Sequence, residues 1–301
     1  MRSINFDFVG KRKIWYAISI IIILLGLISL ITRGLNLGID FTGGNIIQVH
    51  LEQTIDVEEL RDLVSTHVEA TPSIQVGEDN DYLIRTTDMD EEESNQLISE
   101  IQERFGQTEV LRNEHIGPVI GDELISNAKW ALILALVLML IYITIRFKFK
   151  FAVSAIIPLI HDVLVTVGLF SILQVEVDST FIAAILTILG YSINGTIVIF
   201  DRIRENMGNN KQIDSFKDLV NNSINQTLGR SVNTVIAVLI LVVCLFLFGG
   251  ETIKAFSLAL LIGFCAGAYS SVFIAGSILT GLFGVNEKKK LVAATNSKSK
   301  K

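Results

Sequence analysis

The residues able to do chemistry in this chain lie where chemistry is expensive. His161 and Asp162 are adjacent near the middle of an otherwise charge-free apolar run, Phe151 to Leu173. A charged side chain at mid-bilayer costs at least ~2.5–3.5 kcal/mol on insertion scales, so the pair needs a reason to be there. Proton uptake or ion passage is one reason; a structural tie to a neighbouring helix is the other. In the next run, Phe181 to Phe200, Thr187, Gly190, Tyr191 and Asn194 fall at i, i+3, i+4 and i+7 and share one helical face. That face must look at protein or at a water-filled path, because hydrocarbon cannot satisfy an amide. The run ends in the cluster Asp201, Arg202, Arg204 and Glu205, which serves a functional role or is simply a solvated helix end. Arg230 opens the following run and shares a face with Asn233 and Thr234. Alone it reads as an arginine snorkelling to the membrane surface, and Asn194 and Asn233 read as interhelical hydrogen-bond partners. Together these groups describe a polar centre inside a helix bundle.

Such a centre needs spanning helices around it, and the composition supplies them. Half of the 301 residues are hydrophobic, and mean hydropathy is +0.53, values typical of membrane proteins. Six apolar runs are long enough to cross a bilayer: 14–32, 128–147, 151–173, 181–200, 231–248 and 255–283. The first opens on Trp15 and Tyr16 as interface anchors and ends in Thr-Arg-Gly-Leu, so it reads as an uncleaved span rather than a signal peptide. Charge is segregated. Arg33 to Asn127 holds five basic and 21 acidic residues and no lysine, whereas the remainder is net basic. The connectors alternate: Arg146-Phe-Lys-Phe-Lys150 is basic, Gln174-Val-Glu-Val-Asp178 and Gly249-Gly-Glu-Thr252 are acidic, and a basic tail begins at Glu287-Lys-Lys-Lys290. The positive-inside rule therefore puts residues 1–13, the 201–230 loop and the 284–301 tail in the cytoplasm, with 33–127 outside.

The 33–127 segment reads as α+β. Strands fit 46–51, 73–76, 82–86 and 108–116, and helices fit a run from Val57 and one over 91–105, stopped by Gly106. Asp56 with Glu59 resembles a capping box. The order β-α-β-β-α-β is that of the ferredoxin-like unit. The expected fold class is thus an α-helical polytopic membrane protein of six transmembrane helices, with an α+β ferredoxin-like extracytoplasmic domain inserted between helices 1 and 2. Phe216, Leu219, Val220, Ile224 and Leu228 predict either an amphipathic helix on the inner surface or a short packed cytoplasmic helix. In the last run Gly263, Gly267, Ser271 and Ala275 recur every four residues, spacing that lets helix backbones approach.

No HExxH, Walker A, GxSxG or cysteine-pair metal motif is present, so neither an enzymatic centre nor a cofactor is indicated. Cys244 and Cys265 read as packing residues, and His50, His67 and His115 are scattered over the outer segment. Basic residues sit in short juxtamembrane clusters rather than on one domain face, which gives a nucleic-acid partner no support.

At this point six segments resemble one family. They are Gly38-Ile-Asp-Phe-Thr-Gly-Gly44, Gly117-Pro-Val-Ile-Gly-Asp-Glu-Leu124, His161-Asp162, Gly190-Tyr-Ser-Ile-Asn194, Asp201-Arg-Ile-Arg-Glu205 and Gly267-Ala-Tyr-Ser-Ser-Val-Phe-Ile-Ala275. In order, from about Phe6 to Phe283, they are similar to the SecF family of RND-type membrane proteins. In the first segment Gly38, Gly43 and Gly44 allow a tight turn, with Asp40 and Phe41 between them. The resemblance implies pairing with SecD beside the SecYEG channel and indirect cooperation with the SecA motor. It also implies use of an ion gradient to draw preproteins across the lipid bilayer. The sequence departs from the family at one position. SecF sequences commonly place an aspartate, the proposed proton carrier, directly after the asparagine of Gly-Tyr-Ser-x-Asn, and here that position is Gly195. The resemblance then leaves the titrating acid to SecD, to Asp162 or to a different form of coupling, with SecD preferred. Other classes consistent with the residues alone are an RND-like exporter of lipids or small amphiphiles and a membrane-anchored sensor or scaffold. Six spans with one small outer domain argue against the exporter.

Overall fold

The computed structural model describes residues 6–68, 72–77, 79–86, 89–116, 118–209, 215–250 and 253–283. The tail 284–301, residues 1–5, Gly117, residues 210–214 of the 201–230 loop, and Glu251 and Thr252 lie outside the described residues.

The apolar runs become helices, lengthened at their polar ends. They are α1 (Arg12–Arg33), α5 (Pro118–Arg146), α6 (Phe149–Leu173), α7 (Ser179–Asn209), α8 (Phe216–Phe248), and α9 (Lys254–Tyr269) continuing through a π-helical turn (Ser270–Ala275) into α10 (Gly276–Phe283). Among the described residues six helical segments are long and apolar enough to cross a membrane, which makes this a multi-pass membrane protein. About half of α6, of α7 and of the α9–α10 rod is buried, whereas α1, α5 and α8 keep most of their surface bare. The central layer is therefore α6, α7 and α9; α6 and α7 carry His161, Asp162 and Asn194, while Arg230, Asn233 and Thr234 stand on the barer α8.

Close backbone contacts set this packing. A side chain on Gly26 of α1 would meet Gly168 of α6 at 2.7 Å, and one on Gly168 would meet Gly26 at 2.8 Å, so neither tolerates a Cβ where the helices touch. Ser171 reinforces the contact through Ser29 at 2.9 Å and the Gly34 carbonyl at 2.7 Å. The four-residue stripe of α9 packs on α7, with Gly263 against Ile188 and Gly267 against Ser192. The regular spacing ends at Ser271, because the π turn inserts extra backbone there.

Between α1 and α5 in chain order come β1 (Asn36–Leu37), α2 (Ile39–Thr42), β2 (Gly44–Leu51), α3 (Val57–Ser65), β3 (Ser73–Val76), β4 (Asp81–Thr86), α4 (Glu91–Phe105) and β5 (Thr108–Ile116). The sheet runs β3-β4-β2-β5, antiparallel throughout, with a bulge at Gln48/Val49. Alternation puts Ile47, Val49, Tyr82 and Ile84 against Leu60 and Val64 of α3 and Leu97 and Ile101 of α4. The opposite face presents Ile46 and Leu83 to Ile39 of α2. The Asp56 carboxylate caps α3 by accepting the Glu58 N–H at 3.0 Å, while the reciprocal capping box forms at Asp90 and Glu93, heading α4.

The Gly38–Gly44 segment is the joint between sheet and helices. Gly43 and Gly44 hold φ of 76° and 137°, and a side chain on Gly44 would strike the Thr86 carbonyl. Gly38 has an ordinary φ of −72°, so its smallness answers instead to the nearby Glu176 carboxylate. Asp40 accepts the Ser179 N–H at 2.7 Å at the head of α7, and Phe41 packs with Phe170 and Phe181. Two short parallel strands, β1 and β6 (Glu176–Val177), pair beside it. One further difference from the sequence reading concerns residues 216–228. They are continuous with the fifth span as the 33-residue helix α8, whose first half buries Phe216, Leu219, Val220 and Ile224 in the bundle core. Gly229 falls between Leu228 and Ser231 and weakens the helix there, but no proline interrupts the backbone ladder, and the surface helix and the span fuse through it.

Candidate functional site

Three helices converge on one carboxylate. Asp162 is 0% exposed. Its Oδ2 accepts from Ser192 Oγ of α7 at 2.6 Å and from Ser270 Oγ of the π turn at 2.8 Å. Its Oδ1 lies 2.9 Å from Nδ1 of His161, and Thr166 Oγ1 donates to the Asp162 carbonyl at 2.8 Å. Pro158, one turn earlier, removes an N–H from the ladder of α6 and leaves the helix locally adaptable. The His161 ring stacks on Tyr269 with centroids 6.0 Å apart. Tyr269 donates from its hydroxyl to the Trp15 carbonyl at 2.8 Å, which ties α1 to the same cluster. His161 Nε2 is buried and has no hydrogen-bond partner among the described residues.

Magnitudes separate a structural from a working role. Interhelical hydrogen bonds in membranes average ~0.6 kcal/mol and reach ~1.7. Two hydroxyl donors thus offset only part of the ~2.5–3.5 kcal/mol insertion cost of an aspartate. A packing role alone is better filled by an apolar residue. A π turn beside a buried acid is also the kind of irregularity that concentrates at functional sites.

Beside this network, α7, α8 and the π turn enclose a cavity of about 200 Å³, lined by Tyr191, Asn194, Gly195, Arg230, Thr234 and Ser271 among others. Ser192 lines it too and simultaneously holds Asp162, so one hydroxyl joins the open groove to the buried acid. A side chain at Gly195 would stand 3.3 Å from Ser271 Oγ, a tight contact that the serine hydroxyl must rotate to relieve. Asn194, Arg230 and Thr234 are exposed in the single chain. Asn233 is exposed as well but lies outside the lining of the cavity, and Thr187 donates its hydroxyl to the Ala183 carbonyl of its own helix. The helix-end charges pair among themselves and with α5: Arg202 with Glu205 at 2.8 Å, Arg204 with Asp201 at 3.1 Å, and Arg146 with Asp201 at 3.6 Å. They brace the ends of α5 and α7 and stand apart from the buried acid.

Ser192, Tyr269 and Ser270 were not singled out in the sequence reading, though all three lie inside its quoted segments. The available signal was a pair of hydroxyl residues on two spans facing an acid on a third. At the joint between sheet and helices, Arg85 of β4 meets Glu176 at 3.0 Å. Burial pushes the Glu176 carboxyl above its ordinary range despite the pull of Arg85, with Asp178 and Asp40 adding to the rise.

The family model described as protein export membrane protein SecD/SecF, C-terminal, matches residues 96–284, and the SecD/SecF GG motif matches residues 28–55. A protein translocase subunit SecF of Acidaminococcus fermentans is 45% identical over 281 residues, 91% of this chain and 96% of the relative. That of Haemophilus influenzae is 38% identical, covering 90% and 84%. The crystal structure of SecDF, a translocon-associated membrane protein from Thermus thermophilus, matches with a TM-score of 0.83 at 33% identity, over 92% of this chain. This chain spans 38% of that longer one. SecDF in its super-membrane-facing form matches with a TM-score of 0.70 at 32% identity, over 98% of this chain and 40% of the other.

Proposed function

The chain belongs to the SecD/SecF protein export membrane proteins, and from that premise we propose that it is the SecF-type accessory subunit of the Sec protein translocase. It pairs with a SecD protein and uses an ion gradient to promote late preprotein export. The observation that carries the pairing is the match to SecDF, in which a chain more than twice as long contains the counterpart of this one. In the complete assembly the pair works beside the SecYEG channel and after the SecA motor. The membrane is the cytoplasmic membrane, with both termini and the 201–230 loop on the cytoplasmic side, as the distribution of basic connectors supports. Residues 33–127 form a ferredoxin-like extracytoplasmic domain between the first and second spans, a reading supported by the strand order β3-β4-β2-β5. The role is transport rather than catalysis.

Coupling runs through Asp162 and the adjoining cavity. An ionised Asp162 accepts from both Ser192 and Ser270. A proton on Oδ1 is directed at His161 Nδ1, 2.9 Å away, and leaves both serine bonds in place, whereas a proton on Oδ2 makes one serine hydroxyl swing away. Ser192 lines the cavity and Ser270 opens the π turn, so a proton on the shared oxygen alters the groove that we assign to SecD, and one on Oδ1 acts through the His161 ring instead. Gly195 carries no acid, and the cavity beside it holds Arg230; SecD supplies a carboxylate that enters there and pairs with that arginine. His161, Asn194, Asn233 and Thr234 position these groups, and the Asp201–Glu205 cluster fixes the cytoplasmic helix ends. The test is export of a reporter preprotein in cells depleted of this chain and then complemented, with and without an ionophore. Gradient-dependent stimulation restored by the chain supports the reading; stimulation that survives collapse of the gradient refutes it.

A further inference from the structure

A second cavity, of about 750 Å³, lies between the outer sheet and the mouth of the helix bundle. Its size is that of pockets that enclose a ligand. Ser73 and Gln75 of β3 and Arg85 of β4 line it on the sheet side, facing Asn36, Gln174 and Glu176 across it. The antiparallel register pairs Ser73 with Arg85 and Gln75 with Leu83, which puts these side chains on the sheet face opposite α3 and α4. β3 is an edge strand of the four-stranded sheet, so one row of its backbone groups is open for pairing. Arg85 Nη1 is in ion-pair contact with Glu176 at 3.0 Å, yet both Nη1 and Nε are buried and without an aligned hydrogen-bond acceptor among the described residues. The charged side chains of the lining are Arg85, Lys254, Glu176 and Asp178, two of each sign. A neutral lining that combines buried donors with a free strand edge suits a neutral polar chain better than an anion or a cation.

We propose that this cavity binds an extended polypeptide segment, which lies along β3 as an added strand while Arg85 donates to its carbonyl oxygens. That such a segment belongs to a preprotein in transit rests on the function proposed above; that the cavity takes a peptide does not.

The test uses the full chain paired with SecD in lipid nanodiscs. A photocrosslinking residue is placed at Gln75, with a control at Ser99 on α4, and the probe is a fluorescein-labelled 15-residue peptide rich in Ser, Thr and Val with no net charge. Crosslinking to the peptide from Gln75 but not from Ser99 is expected. Arg85→Gln, which keeps polarity but loses the charged fork, should weaken peptide binding about tenfold. Should Arg85→Gln fail to fold, the crosslinking pair decides alone. Crosslinks from Gln75 to SecD only, equal labelling from Gln75 and Ser99, or unchanged affinity in a folded Arg85→Gln variant overturns the proposal. Peptide capture at Gln75 without any effect of this chain on export would leave the site standing and remove the proposed function. Gradient-driven export without capture at Gln75 would do the reverse.

Discussion

Replacing Asp162 by leucine separates an acid kept for packing from one kept for coupling. The substitution leaves the Ser192 hydroxyl without a partner among the described residues, whereas Ser270 falls back on the Gly267 carbonyl, 3.3 Å away. His161 Nδ1 loses its contact at 2.9 Å. Two orphaned polar groups cost ~1–3 kcal/mol each. Against this stands relief of the ~2.5–3.5 kcal/mol insertion cost of the acid. The first sum is ~2–6 kcal/mol, so Asp162→Leu should unfold within about 3.5 kcal/mol of the parent in a thermal or denaturant melt in micelles. Asp162→Asn retains an acceptor for the serines and should lie closer still. Both variants should nevertheless reduce gradient-driven export, measured in energised vesicles with and without ionophore, to the level seen without the chain. Asp162→Glu, which can still titrate, should recover part of it. The reasoning fails if the leucine variant folds and exports at the parental rate, for then the carboxyl does no work.

Three further outcomes follow from the same geometry. Gly195→Asp meets Ser271 at 3.3 Å, a contact that a rotating hydroxyl can relieve, so the variant should fold; it should also support export when the intramembrane acid of SecD is removed, a background in which the parent chain should fail. Gly26→Val drives a side chain into Gly168 and should cost about 1–3 kcal/mol by overpacking, read as a lowered melting midpoint that Gly26→Ala reproduces more weakly. Glu176 has a folded-state pKa raised by burial, so its contribution is complete below the unfolded carboxyl range near ~4.3 and is lost as pH rises through the raised value; a pH series of melts should show that loss in the parent chain and a flatter profile for Glu176→Gln.

What the sequence disclosed depended on the kind of signal each element carries. The helix at 91–105 and the strand at 108–116 were legible to the residue, because amphipathic spacing and a glycine stop are local. His161 and Asp162 were legible as a problem, since any acid in an apolar run demands a partner. The partners were not. Ser192 sits one position from Tyr191, off the polar face that the i, i+3, i+4, i+7 pattern selects, and a lone serine in an apolar run is unremarkable. Ser270 reaches the acid from a π turn, whose geometry no 3.6-residue period anticipates. The Gly26–Gly168 contact joins residues far apart in the chain, and neither glycine belongs to a local motif. The paired strands β1 and β6 are two residues each, too short to imprint any alternation.

The uninterrupted course of α8 has a mechanical consequence. Thirty-three helical residues make a strut about 50 Å long, with Arg230 about 21 Å from its Phe216 end. At that end Asn221 accepts from the Phe8 and Val9 amides, and both Asn221 and Asn225 donate to the Phe6 carbonyl. The aminoterminal strap of residues 6–9 is thereby lashed to the strut near its Phe216 end. A rocking of about 5° around its midpoint displaces each tip by about 2 Å but leaves Arg230, about 4 Å from the pivot, almost still, so a pull on the strap is delivered to the Phe248 end of the beam while the arginine stays at its fulcrum.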